Sequence, residues 1–162
     1  FGQGIAMTPI ATVRALSALA NGGRLITPHI ATKIEYQDGT FKDIVYPEGE
    51  QVFTKETSEE ISRMLTIVVD KALGGGKVKL EHYSVAAKTG TAQIADSAGG
   101  GYYEDKFLHS FFGYFPAYDP EYLVFLYTVE PKGVQYASET LTDPFIDLTQ
   151  FLINYYAIPP DR

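Results

Sequence analysis

The run Ser84-Val85-Ala86-Ala87-Lys88-Thr89-Gly90-Thr91-Ala92-Gln93-Ile94 constrains the fold of this chain more than any other. Its residues read as a strand, yet a glycine sits in the middle, where it weakens a strand unless a bulge or a close approach calls for it. By the two-residue period of a strand, Thr89 and Thr91 share one face. A cation, two hydroxyls and a bare backbone position are gathered on one short stretch, a chemistry suited to an acyl group that bears a carboxylate. Gly90 is the position at which a side chain would obstruct a peptide laid along the strand edge. The N–H of Thr91 can then serve as half of an oxyanion hole, the hydroxyls of Thr89 and Thr91 can hold a carboxylate, and Lys88 adds positive potential.

Composition narrows the classes of function. With 162 residues the chain is long enough for one domain with a real core, and its 45% apolar content is that of an ordinary globular protein. A net charge of −7 without clustered Lys or Arg argues against a nucleic-acid surface. Cysteine is absent, which removes disulfides, thiol catalysis and cysteine-based zinc sites. No stretch approaches the roughly 18 apolar residues of a membrane span. The opening Phe1-Gly2-Gln3-Gly4-Ile5, with no initiator Met, suggests a segment of something longer, with any anchor upstream.

Along the chain, Thr8-Pro9 predicts the cap and first turn of a helix that runs to about Ala20, stops at Asn21-Gly22-Gly23 and is buried nearly all round. Residues 24–53 read as a hairpin-like excursion around Asp38-Gly39 rather than core sheet. A second helix is expected from a cap at Thr57 or Ser58, with Ile61, Met64, Leu65, Ile67 and Val68 on its apolar side and Gly74-Gly75-Gly76 at its end. Strands are expected at 84–94, 108–115 and 122–129, the last two as an antiparallel hairpin. Between the first two, 96–106 reads as a glycine-rich surface loop carrying Tyr102 and Tyr103. A last helix is expected over about 142–156, with Phe145, Leu148, Phe151 and Leu152 as one apolar stripe. The fold class is α/β of the α+β type: an antiparallel sheet with the last helix on one face and the first two on the other.

A Lys-Thr-Gly run belongs to serine acyl-transfer enzymes whose nucleophile lies in a separate Ser-x-x-Lys motif. Together with Phe1-Gly2-Gln3-Gly4-Ile5, Thr8-Pro9, Ala18 to Gly23, Ala87 to Gln93, and Ser110-Phe111-Phe112-Gly113-Tyr114-Phe115-Pro116-Ala117 with Asp119-Pro120, the chain resembles the C-terminal half of a penicillin-binding protein transpeptidase domain. Gly-Gln-Gly and Lys-Thr-Gly-Thr-Ala-Gln point to the class B type. The resemblance covers almost the entire chain, as a partial transpeptidase fold. It implies a D,D-transpeptidase that cross-links peptidoglycan stem peptides ending in D-Ala-D-Ala through a serine acyl-enzyme, and that is acylated by β-lactams. Lys88 matches the lysine that contacts the Ser-x-Asn serine. Thr89 and Thr91 match the carboxylate-binding hydroxyls, Thr91 N–H matches the oxyanion donor, and Gln93 is a further candidate for substrate contact. The implied localisation is the extracytoplasmic face of the bacterial membrane. No cofactor and no metal are implied.

The departures are as specific. Ser17, Ser58, Ser62, Ser84, Ser97, Ser110 and Ser138 all lack a lysine three residues on, and no Ser-x-Asn is present. In the resembled family both motifs precede the Gly-Gln-Gly segment, as do two strands of a five-stranded sheet. The expectation is that the chain works with the upstream half of the same domain, that it is inactive alone, and that the 122–129 strand keeps an open apolar edge. Two alternatives stay open: a serine β-lactamase or β-lactam sensor of the same superfamily, and a non-catalytic peptide-binding or β-lactam-binding module. His29, His82 and His109 have no metal-site spacing and read as surface or structural residues. Gly74-Gly75-Gly76-Lys77 fails the phosphate-loop pattern because position 71 is Lys71 and Val78 follows the lysine.

Overall fold

A computed structural model describes residues 3–162. Phe1 and Gly2, which open the Phe1–Ile5 motif, lie outside the described residues. Helix α1, Pro9–Ala20, starts as its sequence predicts: Thr8 accepts a hydrogen bond from Ala11 N–H at 3.3 Å, and Pro9 sits in the first turn. Its burial differs from the expectation. Only Ala18 is buried and Ile10 is exposed, because the helix lies over one side of the sheet with its outer face uncovered. The excursion that follows makes two small sheets of its own. Strand β1, Arg24–Leu25, pairs with β4, Glu50–Gln51, and β2, Lys33–Glu35, pairs with β3, Phe41–Asp43, around the expected turn.

Helix α2, Lys55–Ile67, begins earlier than expected, capped by Thr54, which accepts from Thr57 N–H at 3.3 Å. The face it turns to the core is also different: Ser58, Ser62 and Thr66 are buried, while Met64 and Ile67 are exposed. The reason is hydrogen bonding. Ser58 Oγ donates to Leu19 O at 2.6 Å, Ser62 Oγ lies 2.8 Å from Tyr114 OH, and Thr66 Oγ1 donates back to Ser62 O at 2.8 Å. Small hydroxyl residues satisfied in this way let the helix sit close to the sheet. A π-helical turn, Val68–Ala72, and a 3-10 turn, Leu73–Gly76, end the segment.

The central sheet has the order β5-β6-β7, all antiparallel: β5 is Ala86–Ala95, β6 is Tyr102–Phe115 and β7 is Tyr122–Val129. Strand β6 starts six residues before the expected 108, so Tyr102 to Phe107 belong to strand rather than loop. What remains of the loop is closed by Asp96, whose carboxylate accepts from Ala98 N–H at 2.9 Å and whose N–H donates to Gly101 O at 3.0 Å. Helix α3, Ala137–Tyr155, also begins earlier than expected and runs through Pro144. Its start is a local cap: Glu139 Oε2 accepts Tyr136 N–H at 3.0 Å. Phe145 is fully buried as the stripe predicts, but Phe151 is exposed and Leu141, Thr149 and Ile153 complete the buried face.

The layers follow the period of two. One face of the sheet presents Ala87, Phe111, Phe115 and Val124 to Leu141, Phe145 and Ile153 of α3, with the Phe111 and Phe145 rings stacked at 4.3 Å. The other presents Ala86 and Tyr114 to Leu19, Ala20 and Leu65 of α1 and α2. The chain end locks the entry to β5. Asp161 accepts from the backbone N–H of Ser84 at 2.7 Å and from its hydroxyl, and Arg162 makes a two-pronged bond to Asp70 at 2.6 and 2.8 Å plus one to Leu80 O. Both side chains of the Arg162–Asp70 pair are largely shielded, at 25% and 18% exposure. Arg162→Ala is therefore expected to cost about 1–2 kcal/mol, read as a lower urea midpoint at unchanged slope. A surface pair of no consequence would leave the midpoint where it is.

Candidate active site

The middle of β5 lies opposite β6 in continuous register: Lys88 faces Phe112, Thr89 faces Phe111, Gly90 faces Ser110, Thr91 faces His109 and Gln93 faces Phe107. In an antiparallel ladder, alternate residues turn both backbone polar groups toward one neighbour and the next residues turn both away. Two bonds fix which is which. Phe107 O accepts from Glu130 N–H at 2.8 Å and Phe115 O accepts from Glu121 N–H at 3.2 Å, both at the ends of β7. The odd-numbered residues of β6 therefore address β7 and the even-numbered ones address β5. It follows that Thr89, Thr91 and Gln93, which stand opposite odd-numbered partners, aim N–H and C=O at the outer edge of β5. No strand among the described residues pairs with that edge.

At that edge Lys88 is exposed, and its Nζ donates to the carbonyl of Thr89 at 2.9 Å, consistent with the direction just derived. The ammonium of Lys88 and the N–H groups of Thr89 and Thr91 thus border one open strip of backbone. The side chain of Lys88 and the bare Cα of Gly90 face the layer of α1 and α2, and the side chains of Thr89, Thr91 and Gln93 share the face that carries α3. Thr91 Oγ1 accepts the N–H of Ala137 at 3.0 Å. Gln93 is held on both sides of its amide, accepting from Gln3 Nε2 and donating to Tyr103 O, each at 3.1 Å. It therefore ties the Gln3-Gly4 segment to the β5–β6 hairpin.

Gly90 is glycine because of a close approach, and the approaching group, which sequence reasoning did not identify, is the Ser110 hydroxyl. A Cβ there would lie 2.5 Å from Ser110 Oγ on the facing strand. Gly90→Ala is expected to cost about 1–2 kcal/mol, and Ser110→Ala in the same chain should return most of it by thermal melting. An equal loss in single and double variants would show that the strand tolerates no Cβ for another reason. The partners Ser110, His109 and Ala137 were hidden because register and helix start are needed to see them. Gln3 belongs to the Phe1–Ile5 motif, where its residue type alone assigns it no role. Of the histidines, His29 stacks on Tyr46 at 3.6 Å, His82 is exposed and His109 is fully buried.

The fold has clear relatives. This chain belongs to the penicillin-binding protein transpeptidase domain family, whose model matches residues 1–148. It is 39% identical over 150 residues to stage V sporulation protein D of Bacillus subtilis, covering 90% of this chain and 22% of that protein. It is 30% identical over 166 residues to penicillin-binding protein PbpB of Mycolicibacterium smegmatis, covering 98% of this chain and 26% of that protein. The chain thus spans about a quarter of the length of these curated relatives. Among solved structures, penicillin-binding protein 3 from Mycobacterium tuberculosis complexed with ampicillin shares the fold, with a TM-score of 0.87 at 24% identity over 99% of this chain and 37% of that one. The transpeptidase domain of Burkholderia pseudomallei penicillin-binding protein 3 superposes with a TM-score of 0.74 at 26% identity, covering 100% of this chain and 46% of that one. The mixed fold of helices around an antiparallel sheet is the one expected from the sequence.

Proposed function

We propose that residues 1–162 are the C-terminal portion of a transpeptidase domain, and that β5 forms one wall of the active site of a serine-type peptidoglycan D,D-transpeptidase. The observation that carries this reading is the open edge of β5, where the N–H groups of Thr89 and Thr91 lie beside the exposed Lys88. A stem peptide ending in D-Ala-D-Ala lies along that edge. Its terminal carboxylate is held by the hydroxyls of Thr89 and Thr91 and attracted by Lys88. The penultimate carbonyl points its oxygen at Thr91 N–H, so that the negative charge developing in the tetrahedral intermediate meets a donor already in place.

The nucleophile comes from a Ser-x-x-Lys motif outside residues 1–162. Its oxygen attacks the carbonyl carbon, its proton passes by way of neighbouring lysines to the departing amine, and D-alanine leaves. An amine of a second stem peptide then takes the acyl group and frees the serine. Lys88 orients the Ser-x-Asn hydroxyl that takes part in these proton transfers. Gly90 keeps the strand flat beneath the ligand, and Gln93 supports it by pinning Gln3. A β-lactam follows the same course as far as the acyl-enzyme, because its ring carbonyl and carboxylate occupy the positions of the peptide's. The protein acts on the outer face of the membrane, anchored by a segment outside residues 1–162.

The test is turnover by the longer protein that carries this chain. It should release D-alanine from a pentapeptide stem in the presence of an amine acceptor, and a penicillin should abolish that release. Peptide binding without D-alanine release would overturn the enzymatic reading.

A further inference from the structure

The hydroxyl of Thr91 is backed by a helix. The N–H of Ala137, the first residue of the 19-residue α3, donates to Thr91 Oγ1 at 3.0 Å. A threonine hydroxyl has one proton and two acceptor positions. Thr91 receives a proton at one acceptor position, and its own proton has no acceptor among the described residues, so it can turn to a group at the open edge. The amide that backs it belongs to the positive end of α3, and such a bond polarises the hydroxyl and strengthens its donation to an anion.

The start of α3 is held in place by His109. This residue stands directly across from Thr91 in the β5–β6 ladder and is fully buried. Its Nε2 lies 2.9 Å from the carbonyl of Gln135 and so carries the ring proton. Its Nδ1 lies 2.9 Å from Thr140 Oγ1, whose hydroxyl also reaches Ala137 O at 3.3 Å, so Thr140 ties the ring to the start of α3. The two bonds grip the chain on either side of Ala137, one just before the helix and one within its first turn.

We propose that His109 is a positioning residue for recognition of a ligand carboxylate. By clamping the first turn of α3 it keeps Ala137 N–H on Thr91 Oγ1, and so keeps the proton of Thr91 aimed at the edge. This rests on the reading of Thr91 as a carboxylate ligand. His109 touches no substrate and acts only through the Ala137–Thr91 bond.

The experiment compares acylation of the longer protein by a penicillin and by the methyl ester of the same penicillin, which has the reacting ring but no anionic carboxylate. The readout is the ratio of the two acylation rates, which a general loss of folded protein does not change. His109→Phe should lower the acid-to-ester ratio about tenfold, as expected when a hydrogen bond to a charged group is lost. His109→Gln, whose amide can still donate to the Gln135 carbonyl, should retain more of the ratio. Should His109→Phe fail to fold, Thr140→Val removes the other grip and should move the ratio in the same direction. Thr91→Val should lower the ratio by itself, and adding His109→Phe or Thr140→Val to it should lower it no further. A wild-type ratio in both His109→Phe and Thr140→Val overturns the proposal while leaving the enzymatic reading intact. Absence of acylation in the unmutated protein by either compound overturns both.

Discussion

Gly113→Ala is expected to lower the melting temperature by about 6–12 °C, which corresponds to about 3 kcal/mol in a chain of this size. The cause is crowding from three sides. A Cβ at position 113 would lie 2.5 Å from Phe145 Cζ, 2.7 Å from Ala87 Cβ and 3.0 Å from Ala86 O. Phe145 cannot swing away, because its ring is fully buried and stacked on Phe111. Relief requires β6 to move from β5 or α3 to lift from the sheet, and either movement breaks close packing over many neighbours. Phe145→Leu in the same chain should recover only part of the loss, since the Ala86 and Ala87 contacts remain. Calorimetry on the single and double variants checks this. A shift below 2 °C in Gly113→Ala would mean that the sheet and α3 are loosely apposed at this point.

The second large effect is on chemistry rather than stability. Lys88→Ala should slow acylation of the longer protein by a penicillin about 100- to 1000-fold, the range found when one preorganised electrostatic contact to a reacting centre is removed. Lys88 is exposed and its one hydrogen bond among the described residues is to the adjacent Thr89 carbonyl, so the melting temperature should hardly change. Lys88→Arg should recover little of the rate, because a planar guanidinium does not replace a compact ammonium in a site built around a point charge. Time-resolved labelling with a fluorescent penicillin measures the rate. An unchanged rate in Lys88→Ala would remove this lysine from the active site.

Much of this arrangement can be read from residues alone. The cap at Thr8, the turn at Asp38-Gly39 and the strands around Lys88 and Phe111 follow from local preference and a two-residue period. The three layers follow from which of those residues are apolar. What local reading misses is set by partners distant in sequence. The buried face of α2 is Ser58, Ser62 and Thr66 because Leu19 O and Tyr114 OH satisfy two of those hydroxyls, and no periodicity count finds a polar core face. The early start of α3 depends on Glu139 reaching back to Tyr136, a residue whose type does not mark a helix start. The N-terminal part of β6 reads as loop because glycines precede it and charges lie within it. Within the candidate site, Lys88, Thr89, Gly90, Thr91 and Gln93 read as a pattern of chemical types. That Thr91 and Thr89 turn their N–H groups to the open edge, and that Ser110 lies across from Gly90, depends on the β5–β6 register.

As proposed, β5 forms a wall of a serine acyl-transfer site and contributes no nucleophile of its own. Intact-mass analysis followed by peptide mapping tests it directly, after the longer protein has been incubated with a penicillin. One covalent penicilloyl group per protein is expected, on a serine outside residues 1–162, with no adduct on Ser17, Ser58, Ser62, Ser84, Ser97, Ser110 or Ser138. An adduct on any of these seven serines, or a protein that binds penicillin without forming an adduct, would contradict it.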